Sequence, residues 1–148
     1  MEKQIRNIGW FIKDPERKSW PTTTTTLRKE TNQQLLDKVC RMFCNESAKW
    51  YEKGVQFGPE SFKNVIERVQ NMRLYRNELM HAAYVELKGG DKIYGLLKSG
   101  IKKVKDKSTI ESELLTESSI DAKMQNVALI SFDLNLHYVQ LIHSFDSD

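Results

Sequence analysis

The sequence predicts a mainly all-α protein: a helical bundle of three long helices behind a short N-terminal segment, with a small β-hairpin at about 84–97. Three observations carry that expectation. Apolar residues recur at alternating three- and four-residue steps over three long stretches, the spacing that lines one face of a helix. Glycine and proline separate those stretches, with Gly54 and Gly58-Pro59 before the second and Gly89-Gly90 and Gly100 before the third. A length of 148 residues with 39% hydrophobic and 29% charged side chains suffices for one folded domain that needs no metal or disulfide staple. The whole chain, 1–148, therefore reads as a single domain.

Taken in order, Ile5, Ile8, Trp10, Phe11 and Ile12 precede Asp14-Pro15, which halts any helix beginning there and leaves a short packing arm. Trp20-Pro21 and Thr22 to Thr26 are β-branched and polar; they predict an extended connector, completing an arm over 1–26, with Thr26 available as a helix N-cap. From Leu27 to about Lys53, the residues Leu35, Leu36, Val39, Cys40, Phe43 and Cys44 mark one helical face, and Gly54 ends it. Pro59 then opens the second helix, since the first turn does not need its missing N–H. That helix presents Phe62, Val65, Ile66, Val69, Met72, Met80 and Ala83 as its apolar stripe. Tyr84, Val85 and Leu87, then Ile93, Tyr94, Leu96 and Leu97, flank Gly89-Gly90 as the two arms of a hairpin. Lys98, Lys102, Lys103, Lys105 and Lys107 crowd the segment beyond it, expected as an exposed loop whose lysines contact phosphate.

The third helix, about Ser118 to His143, has the strongest periodicity: Ile120, Met124, Val127, Ser131, Leu134, Tyr138, Leu141 and Phe145. A second apolar set, Ala128, Phe132, Leu136 and Val139, implies contact with more than one neighbour. No window approaches 18 uninterrupted apolar residues and the first residues lack a signal-peptide core, so the expectation is a cytoplasmic protein with no membrane partner. Cys40 and Cys44, four apart on a helix, read as buried small hydrophobes. His81, His137 and His143 show no zinc-type spacing, so no metal or cofactor is expected. A net charge of +3 does not by itself identify nucleic acid as a partner.

The chemistry concentrates in Arg76-Asn77-Glu78-Leu79-Met80-His81. Arg76 falls within the stripe of the second helix, and a guanidinium placed there needs a carboxylate, carbonyls or an anion to meet it. Asn77 and His81, four apart, stack on its flank. Arginine offers a fork of donors to phosphate, histidine moves protons near neutral pH, and asparagine orients one or the other. RNA cleavage by internal attack needs a base for the 2′-hydroxyl, an acid for the 5′-oxygen and a cation for the charge on phosphorus. One histidine does not readily supply both proton transfers, so two copies facing each other would complete the set. A homodimer with the second helix at its interface follows.

Arg76, four intervening residues and His81, with Asn77 directly after the arginine, resemble the Arg-x(4 to 6)-His motif of the HEPN superfamily. That resemblance implies a small helical bundle acting as a metal-independent endoribonuclease of a toxin–antitoxin or phage-defence type, dimeric, with an antitoxin protein as a further partner. It assigns Arg76 and His81 as the catalytic pair and Asn77 as their polar companion, leaving a 2′,3′-cyclic phosphate and a 5′-hydroxyl. Some members carry a modified tyrosine two residues after the histidine; here that position is Ala83, and Tyr84 follows it, read as a packed aromatic. Two other readings stay open. One is a catalytically inactive HEPN-like module that binds RNA, a nucleotide or a protein; the other is a helical scaffold in which Arg76 pairs with a carboxylate such as Asp133. His137 and His143 carry no catalytic assignment.

Overall fold

The computed structural model describes residues 1–16, 18, 27, 31–51, 57–104 and 107–146, with the backbone alone for 51 and 102–104. The Thr22 to Thr26 connector with its Thr26 cap, Trp20-Pro21, Gly54 and Lys105 lie outside the described residues. Among the described residues, four helices and three strands follow in order: α1 (Glu2–Lys13), α2 (Asn32–Tyr51), α3 (Pro59–His81), β1 (Ala83–Gly89), β2 (Lys92–Val104), β3 (Lys107–Leu115) and α4 (Glu117–Asp146). The chain is mainly helical, as expected, with α2, α3 and α4 as the long helices. It divides into two compact units, one of Met1–Gln70 with Leu129–Asp148 and one of Asn71–Ala128.

The first unit packs α1, α2 and the adjoining parts of α3 and α4 around one apolar core. The N-terminal segment is a full helix rather than a loose arm: Ile5, Ile8, Gly9 and Trp10 are buried at three- and four-residue steps, and Asp14 ends it. Gly9 permits a close approach to α2, because a Cβ there would lie 2.9 Å from Val39 Cγ2 and 3.0 Å from Leu27 Cδ1. A capping box opens α2: the Thr31 backbone N–H donates to Gln34 Oε1 at 3.1 Å, and Gln34 N–H reaches Thr31 Oγ1 at 3.4 Å. Leu35, Leu36, Val39 and Phe43 are buried as the pattern predicts. Cys40 and Cys44 are free thiols and only half-buried, a correction to their reading as core residues. Burial and the neighbouring Cys44 push the Cys40 thiol up to about 11, which keeps it protonated near neutral pH.

On α4 the buried face is Ile130, Leu134, His137 and Leu141. That departs from the expected seam, of which Ile120 and Met124 are exposed. A count of apolar positions passes over His137, yet this side chain is fully buried because both ring nitrogens are partnered. Nδ1 lies 2.7 Å from the Asp133 carbonyl, so it carries the proton and donates; Nε2, 2.7 Å from Ser61 Oγ, accepts from the hydroxyl. The ring packs edge-on to Phe43 and Phe57, and Phe43 stacks on Phe62 with centroids 4.0 Å apart. Asp133 itself is held by Arg68. The carboxylate considered as a partner for Arg76 is thus taken by another arginine.

The second unit is built on an antiparallel meander in the order β1-β2-β3. The expected hairpin is present, with Gly90 at φ +63° in its two-residue turn and Gly89 paired to Lys92. A third strand extends it: the lysine segment is not a loop, since Lys98, Lys102 and Lys103 lie on β2 and Lys107 opens β3. Pairing of Lys98 with Tyr84 on one side and Glu113 on the other fixes the faces by alternation. The opposite face carries Val85, Leu87, Leu97, Ile101, Ile110 and Leu114 around a Ser99–Ser112 hydrogen bond of 3.1 Å. Thr116 and Ser119 cap α4 reciprocally, at 2.9 and 3.2 Å. Among the described residues, no helix is long and apolar enough to cross a membrane.

Two expectations can be measured on the first unit. Gly9→Ala gains roughly 1 kcal/mol of helix propensity but drives a methyl into the β-branched Val39, so overpacking wins and urea denaturation should show a net loss of about 1 kcal/mol. Burial, opposed by the Asp133 carbonyl, holds His137 below the ordinary 6.5, so the unfolded chain binds a proton that the folded chain refuses. Stability should fall as pH drops through 6.5 and level off below the depressed value. His137→Phe should flatten that part of a melting-temperature profile taken between about pH 5 and pH 8.

Candidate functional site

Helix α3 ends in an exposed turn: Met72, Met80 and Ala83 continue the apolar stripe in sequence, but the buried residues stop at Val69. Phe62, Val65, Ile66 and Val69 are buried, whereas Met80 is 69% exposed and Ala83 is exposed as well. Arg76, Asn77 and His81 are all exposed. Placement of Arg76 in a sheltered stripe is therefore corrected: its guanidinium meets solvent, and burial supplies no demand for a partner. Among the described residues, no ion pair or hydrogen bond engages the side chains of Arg76, Asn77 or His81.

Within the second unit the sheltered edge of α3 lies elsewhere on the helix. Tyr75, Glu78, His81 and Ala82 line a cleft of about 410 Å³ together with Lys98, Gly100, Glu111 and Glu113 from the sheet and Lys123 from α4. At about 100° per residue, these four helix positions stand roughly 260°, 200°, 140° and 240° round from Arg76. Arg76 lies on the far side of the helix from the cleft. Asn77, at about 100°, sits between the two edges and stacks beneath His81. The structure thus brings His81 to the cleft with Lys98, which the sequence singled out, and with Tyr75, Glu113 and Lys123, which it did not, and brings Arg76 to none of them.

The centre of the cleft is an ion pair. Lys98 is 7% exposed, a correction to its reading as a free surface lysine. Its Nζ lies 2.7 Å from Glu113 and 3.8 Å from Glu78, and 4.7 Å from the centroid of the Tyr75 ring. Lys123 Nζ stands 4.3 Å from the same centroid, so Tyr75 carries two cation–π contacts. Burial alone would lower the Lys98 ammonium, but the hydrogen bond and charge of Glu113 outweigh it and hold the group above its ordinary 10.5. The Lys98 hydrogen bond in turn holds the Glu113 carboxyl below its ordinary 4.5. Burial, then the Glu113 charge, raises the Tyr75 hydroxyl, which approaches Glu113 at 3.4 Å.

These shifts make Lys98 and Glu113 structural partners rather than proton carriers near neutral pH. Tyr84 is also spoken for, its hydroxyl donating to the Leu79 carbonyl at the end of α3. Lys102 and Lys103 have described backbone only, and Lys107 is exposed. Of the lysines expected on a nucleic-acid surface, Lys98 is withdrawn from it. Glu113 was legible only through the strand register, since alternation over Lys107–Leu115 sets it opposite Lys98, whereas Tyr75 and Lys123 lie on helices and no spacing in the sequence ties them to that pair. What stays available for chemistry is His81 at the cleft mouth, Asn77 below it and Arg76 across the helix.

Glu113→Gln should leave the Lys98 ammonium buried with only the more distant Glu78 and destabilise the second unit by about 1–3 kcal/mol, less than a fully buried pair because Glu113 is partly solvated. Hydrogen exchange at β2 and β3 amides reads that loss locally. The double variant Lys98→Met with Glu113→Leu removes both charges and should recover most of the protection. In the wild type, the depressed carboxyl means the contribution is present above pH 4.5 and lost as pH falls through the lowered value.

Compared with known proteins, the chain matches no family model, no curated protein and no solved structure.

Proposed function

We propose that the chain is a metal-independent endoribonuclease of the HEPN type, acting as a homodimer in which two copies of the Arg76-to-His81 turn build one site. The observation that carries this reading is the free, exposed trio on the last turns of α3. A structural arginine would be expected to hold a carboxylate, as Arg68 holds Asp133; Arg76 holds none among the described residues.

Helix geometry adds a reason for two copies. Arg76 and His81 diverge by about 140° and are separated by about 7.5 Å along the axis, so one helix does not aim both at one phosphate. Across a two-fold axis, the guanidinium of one copy can face the imidazole of the other. His81 of one copy takes the 2′-hydroxyl proton as that oxygen attacks phosphorus, and His81 of the other protonates the departing 5′-oxygen. Arg76 stabilises the charge gathering on the phosphoryl oxygens, and Asn77 orients the imidazole. The bond from phosphorus to the 5′-oxygen breaks as that to the 2′-oxygen forms, leaving a 2′,3′-cyclic phosphate and a 5′-hydroxyl. Toxin–antitoxin or phage-defence work in the cytoplasm, with an antitoxin protein as partner, belongs to the same proposal.

The test is cleavage of a mixed-sequence, end-labelled RNA with a chelator present, analysed for cyclic-phosphate termini. His81→Ala and Arg76→Ala should each slow cleavage by about 10²-fold or more, and Asn77→Ala by less, while Lys63→Ala on an exposed part of α3 cleaves as wild type. RNA left intact by the wild type, or cut as fast by His81→Ala, would overturn the reading. Retained RNA binding without turnover would point to the inactive module instead.

A further inference from the structure

Gly100 interrupts β2 where the packing of the chain makes no call for glycine. It lies inside Lys92–Val104, paired to Glu111; its φ is not positive, and among the described residues nothing lies within 4 Å of a Cβ built on it. Glycine inside a strand weakens it, and its use there is to let a ligand or another backbone come close. Among the described residues, none makes that approach. By alternation Gly100 faces the same side as Lys98, and it lines the cleft of about 410 Å³ between the end of α3 and the sheet. Its missing side chain leaves a strip of bare backbone on which a planar ring can lie.

We infer that this cleft is a guanine-binding site. The role of that base rests on the nuclease reading: with His81 at the cleft mouth, the bound guanine is the one next to the phosphate that is cut. Glu78 selects the base. It precedes His81 by three residues on the same edge of α3, is exposed, and lies 3.8 Å from Lys98 Nζ, too far for a hydrogen bond, so both carboxylate oxygens can accept. Lys98 is held instead by Glu113 at 2.7 Å. Lys123 lines the same cleft and joins no ion pair among the described residues, which leaves ammonium donors for a carbonyl.

A carboxylate meets a base edge with both oxygens only where two donors are adjacent. Of the four RNA bases, guanine alone offers them near neutral pH: N1–H stands beside the N2 amino group, with the O6 acceptor next to both. Adenine and cytosine turn a ring-nitrogen acceptor toward the carboxylate, and uracil flanks its N3–H with two carbonyls, so each sets a lone pair against a negative oxygen. Unpaired RNA presents this edge freely, which a duplex does not.

Calorimetric titration of the full chain with nucleoside 3′-monophosphates tests the cleft without any cutting. The guanosine compound should bind with a dissociation constant on the order of 1 mM, and the inosine compound, which lacks only the N2 amino group, about 10-fold more weakly. Glu78→Gln should erase that difference, whereas Glu86→Gln, the same charge change on β1 outside the cleft, should keep it. Gly100→Val places a β-branched side chain in open space, so it should melt no lower than the wild type while weakening guanosine binding by about 10-fold or more. Should that variant lose its fold, Glu78→Gln, at an exposed side chain, decides alone. Guanosine and inosine compounds bound alike, neither bound, or a preference that survives Glu78→Gln would overturn the inference, as would RNA cut by the wild type without regard to guanine. RNA left uncut by a wild type that prefers guanosine overturns the nuclease reading and upholds the guanine site.

Discussion

The stack of Phe43 on Phe62, closed at its side by the His137 ring, is the contact on which the helical core depends. It joins α2, α3 and α4 at one point, and it works only because the imidazole is made compatible with an apolar site. Each aromatic contact contributes about 0.5–1.5 kcal/mol beyond its buried area. A histidine there would forfeit more than that if either nitrogen were left unpaired, since an unmet polar atom costs about 1–3 kcal/mol. Asp133 and Ser61 prevent the loss by meeting one nitrogen each, which also sets the tautomer. The Asp133 carbonyl serves the ring while its carboxylate serves Arg68, so one residue ties the aromatic cluster to the surface ion pair.

The same economy of polar groups governs the sheet. Lys98 would be an expensive residue to shelter, and Glu113 across the register makes it tolerable; Tyr75 covers its remaining face. A buried pair of this kind adds little net stability relative to apolar residues, but losing one member is costly, so it enforces pairing. A one-residue slip of β3 would carry Glu113 to the opposite face and leave the ammonium against Tyr75 with only the more distant Glu78 as an anion. The pair therefore specifies the strand register at a place where the other face, with Val85, Ile101 and Ile110 open to solvent, specifies it weakly.

Much of the helical framework was readable because it rests on period. Leu35 to Phe43 and Phe62 to Val69 repeat at three and four, and Gly90 marks its own turn. What escaped were the positions where a polar side chain does the work of an apolar one. His137 is invisible to a hydrophobic count, so the α4 face was drawn about 60° away from where it lies. Lys98 sits in a dense run of lysines and reads as solvent-facing until the residue opposite it is known. Conversely, Arg76 looked sheltered because Met80 and Ala83 continue the stripe in sequence, yet both are exposed, as is Arg76 itself. Apolar spacing states which face could be buried; only the partner element decides that it is.

That distinction bears on the site. A cation forced into a core would have required an anion to be there already, and so would have been weak evidence for a substrate. A free guanidinium and a free imidazole on one helix end impose no such demand within the chain, and their divergence of about 140° prevents either from satisfying the other. In the proposed function it is therefore a second copy that supplies the counterpart of each.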